Sequence, residues 1–310
     1  MKNKSERVAT IIRGIIGILP RLIAAIAVML CLELTPNLAF AQYFKSAVYF
    51  GMGGASVAGT EDAVAMFSNP ASLPHAELFE SGLFYADQKN AEGLGRSYYG
   101  LSLVDNSEEV ALPGGLGVFK GRSYRPGLPV LDETYVHVAA GGFFYPHWSV
   151  GLGVIYLNQA SEDGAEKYEQ WNGTFGILFN PHPDFGVGLA YAHFVKPSDQ
   201  VEISARLRPK AALGAHYLFS KYFQLAGDIN YFPEANSDDP WGYSLGMDSR
   251  AGKYMVFRTG FERDPSLDQS RWALGVGFSG PRLKIDYAYS RPTEGDNSAL
   301  HHVDLRLPFW

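Results

Sequence analysis

The feature that most constrains the fold is a two-residue hydrophobic period that runs from about residue 78 to the end of the chain. In "VGLGVIYL", the residues Val150, Leu152, Val154 and Tyr156 share one face, and Gly151 and Gly153 lie on the other. This alternation indicates β-strands with one apolar face. The segments are about nine to twelve residues long, above the usual five to six. They match the length with which a tilted strand crosses a bilayer.

The composition of the two faces indicates what surrounds the sheet. One face is apolar and aromatic, and the other is glycine or ionisable. A soluble sandwich also alternates, but its polar face meets bulk water and needs no glycines. A barrel in lipid carries apolar side chains outside and small or polar side chains inside. The sequence therefore predicts an all-β, antiparallel transmembrane β-barrel, with a soluble secreted all-β protein as the alternative.

The connections support an outer-membrane barrel with fourteen strands. Those after odd-numbered strands are long and polar, those after even-numbered strands are mostly tight, and residues 105–114 are the exception. Residues 200–207, "QVEISARL", also alternate and are assigned to a structured loop or to an extension of the eighth strand. Both termini then lie on the periplasmic side. The predicted strands are 78–86, 96–104, 115–121, 133–145, 147–157, 168–179, 184–195, 208–219, 222–232, 241–249, 253–262, 271–279, 281–290 and 299–309.

The first 41 residues have the pattern of a secretory signal peptide. Basic residues precede an apolar run, and Ala39 and Ala41 fit a cleavage site before Gln42. Glu33 and the short apolar run disfavour the alternative, a membrane anchor. The only cysteine, Cys31, lies in this leader, which predicts no disulfide in the mature chain. Removing five basic and two acidic residues from 26 and 32 leaves 21 and 30, and the net charge of −9 disfavours a nucleic-acid partner.

A glycine-rich stretch, "GMGGASVAGTEDAVAMFSNPASL", begins at Gly51. It lacks the spacing of a dinucleotide fingerprint and the Gly-Lys of a P-loop. Thr60 can cap a short helix over 61–67, acidic residues can stabilise its positive end, and the Asn-Pro pair can stop it. So short a helix is unstable alone in water. The residues assigned to this motif are Gly51, Gly53, Gly54, Thr60, Asp62, Asn69 and Pro70.

Inward-facing glycines predict a place for that stretch. Glycine in a strand weakens the strand and often marks the close approach of another backbone. We therefore expect residues 42–75 to plug the barrel lumen, while relief of strand curvature is the simpler explanation of the glycines. The glycines on the predicted inward face are Gly151, Gly153, Gly186, Gly188, Gly214, Gly246, Gly275 and Gly277.

Charged residues also fall on the inward face, where they avoid the cost of about 2–4 kcal/mol for an arginine or lysine that faces lipid. They could form a polar path or gate. The favoured interpretation is an ion-pair network that braces barrel and plug, because buried charges need partners. The residues are Asp228, Asp248, Arg258, Glu262, Lys284, Asp286, Asp304 and Arg306.

The sequence gives little support for an enzyme. It contains no Gly-x-Ser-x-Gly elbow, and its histidines are scattered without metal-ligand spacing. We predict no catalytic residues, no metal and no cofactor. The most apolar loop, "YRPGLPVL", offers Leu128, Val130 and Leu131 as a candidate contact for a ligand or partner, although it could simply cover the barrel mouth.

Several of these segments resemble one family. The Gly-Gly-Ala block, the acidic stretch and Asn69-Pro70-Ala71 resemble the N-terminal signature of the FadL-like outer-membrane barrels, most closely the PorV/PorQ family. "FGILFNPHPDFGVGLAYAHF" and "LKIDYAYS" extend the resemblance. It implies a fourteen-stranded barrel with a luminal N-terminal segment. The domains would be a signal peptide (1–41), a plug (42–75) and a barrel (76–310).

The resemblance implies two functions in the bacterial outer membrane. FadL-type proteins pass hydrophobic small molecules, and PorV-type proteins hold exported proteins during secretion. The expected partners are outer-membrane lipid, then hydrophobic small molecules or exported proteins. The aromatic end of "HVDLRLPFW" implies recognition by the barrel-insertion machinery, although Trp310 follows the outward-facing Phe309 by one position.

Overall fold

The computed structural model describes residues 44–59, 63–89, 95–124, 127–196, 198–202, 205–234, 239–266, 269–293 and 299–309. Within them, fourteen antiparallel strands form one closed barrel in sequence order, and the last strand pairs with the first. The predicted fold class and strand count are confirmed. No helix in these ranges is long and apolar enough to cross a membrane.

The strands are close to their predicted positions. They are β1 (Phe79–Lys89), β2 (Gly95–Asp105), β3 (Gly114–Tyr124), β4 (Leu131–Tyr145), β5 (Trp148–Ser161), β6 (Lys167–His182), β7 (Phe185–Ala192), β8 (Lys210–Ser220), β9 (Phe223–Tyr231), β10 (Trp241–Ala251), β11 (Met255–Asp264), β12 (Gln269–Ser279), β13 (Lys284–Pro292) and β14 (Leu300–Phe309).

Two details of the predicted strands are corrected or settled. β7 is predicted to reach residue 195 but ends at Ala192, because His193 adopts a φ of +58°, outside the range of a strand, and leaves the ladder. Residues 200–202 and 205–207 belong to no strand, so this segment is the predicted loop. The leader, Thr60, Asp62 and Trp310 lie outside the described residues.

The two ends of the barrel differ as expected. β1 begins and β14 ends at one end, where short turns such as 146–147 and 183–184 join the strands. The exception there is the connection 106–113, as the sequence predicts. The longer connections, including 193–209 and 232–240, lie at the opposite end, called the long-loop end. In outer-membrane barrels, long loops face the outside.

The outer face of the wall is apolar, as lipid requires. Large apolar side chains stay exposed along the strands because they point away from the lumen, while the residues between them are buried. No water in a bilayer core could bind a free strand edge, so closure of the barrel satisfies the backbone. Examples of the exposed residues are Leu83, Leu101, Leu152, Val154, Leu213, Ile229, Leu245, Phe257, Leu274, Ile285 and Val303.

Residues 44–59 and 63–75, called the N-terminal segment, precede β1. They contain the helix α1 (Ala47–Gly51) and two 3₁₀ helices, Ala63–Phe67 and Pro70–His75. The sequence predicts only the middle one. Ser46 caps α1, with its side chain accepting from the backbone N–H of Tyr49 at 3.3 Å. Each helix is one or two turns, so its stability must come from surrounding contacts.

Those contacts come from the inner face of the wall. α1 packs against β11 to β14, and the second 3₁₀ helix packs against β4 to β6, on another part of the circumference. The N-terminal segment therefore lies among inward-facing residues of the strands.

Strand glycines permit this close approach. A Cβ at Gly188 would overlap the backbone carbonyl of Val57, and a Cβ at Gly275 would lie 3.3 Å from the Cα of Gly51. Gly153, Gly186 and Gly277 instead face side chains of neighbouring strands, so close approach does not explain every inward glycine. The strand glycines that face the N-terminal segment include Gly115, Gly117, Gly141, Gly151, Gly176, Gly188, Gly214, Gly246, Gly260 and Gly275.

Gly188→Val tests this packing. The new side chain cannot share space with Val57, so the N-terminal segment should detach locally while the barrel stays closed. We expect faster proteolysis within residues 44–75 and a higher ion conductance in planar bilayers. The control is Gly227→Val, whose Cβ would meet only the Leu245 side chain at 3.2 Å and a backbone oxygen at 3.6 Å. Wild-type proteolysis and conductance in Gly188→Val would contradict the packing account.

Candidate functional site

The glycine-rich motif makes a tight turn after α1. Gly53 and Gly54 have φ of +64° and +82°, which side-chain-bearing residues rarely adopt. A Cβ at Gly53 would also overlap the backbone of Phe261, and a Cβ at Gly51 would lie 3.2 Å from the Cα of Gly275. The glycines therefore set the path of the N-terminal segment along β11 and β12.

Asn69 joins three parts of the structure. Its Oδ1 accepts from the backbone N–H of Ala71 at 3.0 Å, which caps the second 3₁₀ helix. Its Nδ2 donates to the carbonyl oxygens of Val57 at 2.7 Å and Ile177 at 3.3 Å. Pro70 lies against Gly151 of β5. The sequence analysis predicts that the Asn-Pro pair ends the first 3₁₀ helix. The pair also starts the second 3₁₀ helix, which the sequence analysis missed.

Two buried wall carboxylates hold the backbone of the N-terminal segment. Asp304 accepts from the backbone N–H of Ala47 at 2.6 Å, at the start of α1. Asp228 accepts from the backbone N–H groups of Ser56 at 2.7 Å and Val57 at 3.2 Å. Such charge-assisted bonds are among the stronger hydrogen bonds in proteins.

A second set of predicted charges forms an ion-pair network on β10 to β14. Arg258 binds Asp248 at 3.0 Å and Asp286 at 2.5 Å, and Asp286 also binds Arg306. Lys284 binds the carboxylates of Glu77 and Glu80, each at 2.9 Å. Glu262 stands apart from this network and pairs with Lys45 of the N-terminal segment.

The network borders a cavity of about 80 Å³ under the N-terminal segment. Met52, Ser56 and Ala58 line it opposite Asp286 and Arg306. The charges on this side are paired with each other and with the segment, which is the bracing arrangement expected of buried charges.

The sequence analysis missed a polar chain near the long-loop end, here called the polar belt. The Nε of Arg96 (β2) donates to Glu133 (β4) at 2.6 Å. Gln159 (β5) donates to Glu133 at 2.8 Å, and Gln170 (β6) donates to Gln159 at 2.9 Å. Gln170 also donates to the carbonyl of Ala205 at 2.7 Å. The belt therefore crosses the inner wall from β2 to the 193–209 loop.

Beneath the polar belt lies a small cavity of about 30 Å³, here called the aromatic pocket. Its walls include Tyr98, Phe119 and Tyr135, and Arg96 and Glu133 lie at its edge. Phe44, in the N-terminal segment, also lines it. This side of the lumen is apolar, in contrast to the charged side.

Phe44 is the centre of the aromatic contacts. Its ring centroid lies 4.1 Å from that of Phe119, 4.4 Å from Phe67, 5.2 Å from Phe84 and 5.6 Å from Tyr98. Edge-on and tilted geometries are favoured over face-to-face stacking in aromatic pairs. Phe44 therefore lies at the centre of an aromatic cluster in this part of the lumen.

The alternation of inward-facing and outward-facing residues in β2 to β5 could have revealed the polar belt and the aromatic pocket. Tyr98, Phe119 and Tyr135 break the rule that aromatic residues face outward, and Glu133 and Gln159 are polar at inward positions. Extending the alternation analysis to these strands would have placed them in the lumen.

The strand pairing of the wall is incomplete between β6 and β7. β6 pairs with β5 from Lys167 onward, but its pairing with β7 begins only at Thr174. The 193–209 loop covers the remaining edge, where Asn172 exchanges two hydrogen bonds of 2.9 Å with the backbone of Val195. Side chains thus replace strand pairing over this part of β6, here called the seam.

His193 marks the start of the covering loop. Its Nδ1 lies 2.8 Å from the carbonyl oxygen of Arg208, which fixes the donor tautomer at Nδ1. Burial lowers the pKa of His193 from 6.5 to about 4. The imidazole is therefore neutral at pH 7, and the stability that its neutral form contributes is lost as the pH falls from 6.5 towards 4.

The three residues predicted as a loop contact for a ligand or partner differ in exposure. Leu128 is exposed and Val130 is half-buried. Leu131 is fully buried against Val201 and Ala205, so the expectation that it is available at the surface is corrected. Val201 and Ala205, in the connection between β7 and β8, thus cover the first residue of β4. Among the described residues, no group of three or more His, Cys, Asp or Glu side chains could hold a metal ion.

Asp286→Ala measures what the ion-pair network contributes. It leaves Arg258 and Arg306 buried with fewer partners, and breaking a buried pair typically costs about 3–5 kcal/mol. We expect a loss of that size in the free energy of unfolding, measured by urea titration in lipid vesicles. The control, Asp132→Ala, removes the exposed pair with Arg122 and should cost less than about 1 kcal/mol. Equal losses in the two variants would contradict the bracing role.

The similarity of this chain to known proteins is seen in its structure. No model of a known protein family matches the chain, and no curated protein matches it significantly. Several solved structures do match it. A structure described as the CymD monoaromatic hydrocarbon channel has a TM-score of 0.65 at 16% identity, covering 87% of this chain and 99% of that one.

Two further solved structures match this chain with similar TM-scores and sequence identities. A Pseudomonas aeruginosa FadL homologue has a TM-score of 0.62 at 14% identity, covering 88% of this chain and all of that one. The Ralstonia pickettii toluene transporter TbuX has a TM-score of 0.61 at 14% identity, covering 86% and 99%. These structures give no information on the PorV/PorQ resemblance, which stays a prediction. The chain therefore has the fold of the FadL-like outer-membrane barrels.

Proposed function

We propose that this chain is an outer-membrane channel through which hydrophobic small molecules pass passively, with the N-terminal segment as a movable plug. The observation that carries the proposal is the aromatic pocket, where Phe44 fills a space walled by Tyr98, Phe119 and Tyr135. An apolar guest could replace the Phe44 ring without leaving a buried polar group unpaired.

The plug has the energetic properties of a part that can move. α1 and the 3₁₀ helices are short, and polar contacts hold the segment at separate points, including Asp228, Asp304 and Glu262. Helices this short have little stability of their own, so contacts with the wall decide whether the segment stays in place. We propose that displacement begins at Phe44, at the beginning of the described chain, and leaves the charged side in place.

The seam offers a route from the lumen into the membrane. Its cover is held by side-chain bonds from Gln170 and Asn172 rather than by a strand, and Phe194 and Val195 are exposed beside it. A hydrophobic molecule that leaves through the wall avoids the aqueous space. Opening there breaks fewer backbone bonds than opening between two fully paired strands.

The structural neighbours favour the same substrate class. One is described as a monoaromatic hydrocarbon channel and another as a toluene transporter. The space that the Phe44 ring occupies has the size of one aromatic ring and suits such neutral compounds, and the Arg96–Glu133 pair leaves no unbalanced charge for an anionic head group. The alternative, a secretion-associated protein that binds exported proteins, has no specific support in the described residues. Cleavage of the leader and recognition by the insertion machinery also stay predictions.

Uptake of radiolabelled toluene by cells tests the proposed function. A strain that lacks this protein should take up toluene more slowly than the parent strain at low external concentration, and expression of the intact chain should restore the rate. The same strains should take up a small hydrophilic sugar at equal rates. Unchanged toluene uptake in the deletion strain would contradict the proposal.

Phe44→Ala tests the role of the plug. Removing the ring opens the aromatic pocket, so toluene uptake should rise above the wild-type rate. The matched control is Phe50→Ala, which removes another buried ring of the N-terminal segment, stacked on His302 at 3.7 Å and outside the lining of the aromatic pocket. It should leave uptake near the wild-type rate. An equal rise in both variants would show general loosening rather than a gate at Phe44.

A further inference from the structure

A groove of about 440 Å³ lies on the outer face of the wall, near the long-loop end of β1 to β5. Most of its side chains point away from the lumen, including Tyr85, Tyr99, Lys120, Thr134 and Asn158. Cross-strand pairs place them side by side: Tyr85 with Tyr99, Tyr99 with Lys120, Lys120 with Thr134, and Thr134 with Asn158. The groove is thus a continuous surface across five strands.

The groove lies at the edge of the apolar band. The next outward residues towards the short-turn end are apolar, namely Leu83 on β1, Leu101 on β2 and Val118 on β3. Tyrosines at this border are typical of the level where lipid head groups begin. At the long-loop end, this is the head-group level of the outer leaflet.

Two cations and two carboxylates line the groove, and Glu133 is paired with Arg96 on the inner side of the wall. Arg122 pairs with Asp132 at 2.9 Å, so these two charges balance. Lys120 is exposed and has no carboxylate partner within the ranges that the structure describes. An ammonium group at a lipid surface is a binding group for phosphate.

Other groove residues fit a saccharide beside that phosphate. The Oδ1 of Asn158 is buried and finds no hydrogen-bond donor within the described parts of the chain. A hydroxyl group could donate to it, whereas an acyl chain could not. Tyr85 and Tyr99 are 51% and 61% exposed, so each presents an aromatic face and a hydroxyl group.

We propose that this groove binds the phosphorylated saccharide head group of an outer-leaflet glycolipid. Lys120 pairs with the phosphate, Asn158 Oδ1 accepts from a sugar hydroxyl, and the tyrosine rings contact the sugar. The site lies on the opposite face of the wall from the aromatic pocket and does not depend on the proposed transport function.

Binding of diphosphoryl lipid A to the purified mature protein in detergent, measured by native mass spectrometry, tests the proposal. Lys120→Glu should weaken binding roughly tenfold. The control is Lys167→Glu, at the same end of the barrel on β6, where Lys167 pairs with Glu169 at 3.3 Å outside the groove. It should bind like the wild type. Asn158→Leu should also weaken lipid A binding without altering the charge.

Two further lipids separate the sources of binding. Dephosphorylated lipid A should bind the wild type more weakly and should not distinguish Lys120→Glu from it. Phosphatidylglycerol, which carries phosphate without the saccharide, should be insensitive to Asn158→Leu. The proposal is overturned if Lys120→Glu binds lipid A like the wild type, if both lysine variants lose binding equally, or if Asn158→Leu affects phosphatidylglycerol as much as lipid A.

Discussion

The architecture depends on close contact between the backbone of the N-terminal segment and the inner face of the wall. A barrel of fourteen strands encloses a space that side chains alone do not fill, and here a second stretch of chain occupies part of it. Glycines at Gly151, Gly188 and Gly275 let the two backbones approach. Asp304 then binds the N–H group of Ala47, which the start of α1 leaves without an intrahelical partner, and Asp228 binds the N–H groups of Ser56 and Val57 after α1.

The lumen is divided by chemistry. On the side of β10 to β14, arginine, lysine and carboxylate side chains form a paired network whose disruption would leave charges in a buried site. On the side of β2 to β4, rings pack around Phe44, and such apolar contacts are non-directional and can be exchanged for a guest of similar shape. This division lets one side hold the N-terminal segment while the other accommodates a hydrophobic molecule.

Much of the barrel could be predicted from the sequence because a two-residue period has one physical explanation over so many segments. The inward positions of Asp286 and Arg306 follow from parity, and the loop asymmetry follows from the lengths of the connections. The count of fourteen strands also drew on the family resemblance, which helped to place residues 200–207 outside the strands. The early end of β7 could not be predicted, since it depends on the backbone conformation of His193. α1 also escaped prediction: five residues carry too little periodicity, and its stability comes from the wall.

The candidate site was harder to predict than the fold. The charged side can be predicted because ionisable residues stand out in apolar strands. The aromatic pocket cannot, because Phe44 and Tyr135, which both line it, are 91 positions apart in the sequence and no local pattern relates them. Leu131 shows the same limit, because the loop that buries it lies about 70 residues further along the chain.

A crystal structure of the protein soaked with bromobenzene tests the central claim most directly. The bromine atom reports its own position through anomalous scattering, and the ring resembles that of Phe44. The account predicts a bromine peak between Tyr98, Phe119 and Tyr135, with the Phe44 ring displaced and the Arg258–Asp286 pair unchanged. Bromine found only on the outer, lipid-facing surface, with Phe44 still in the pocket, would contradict it.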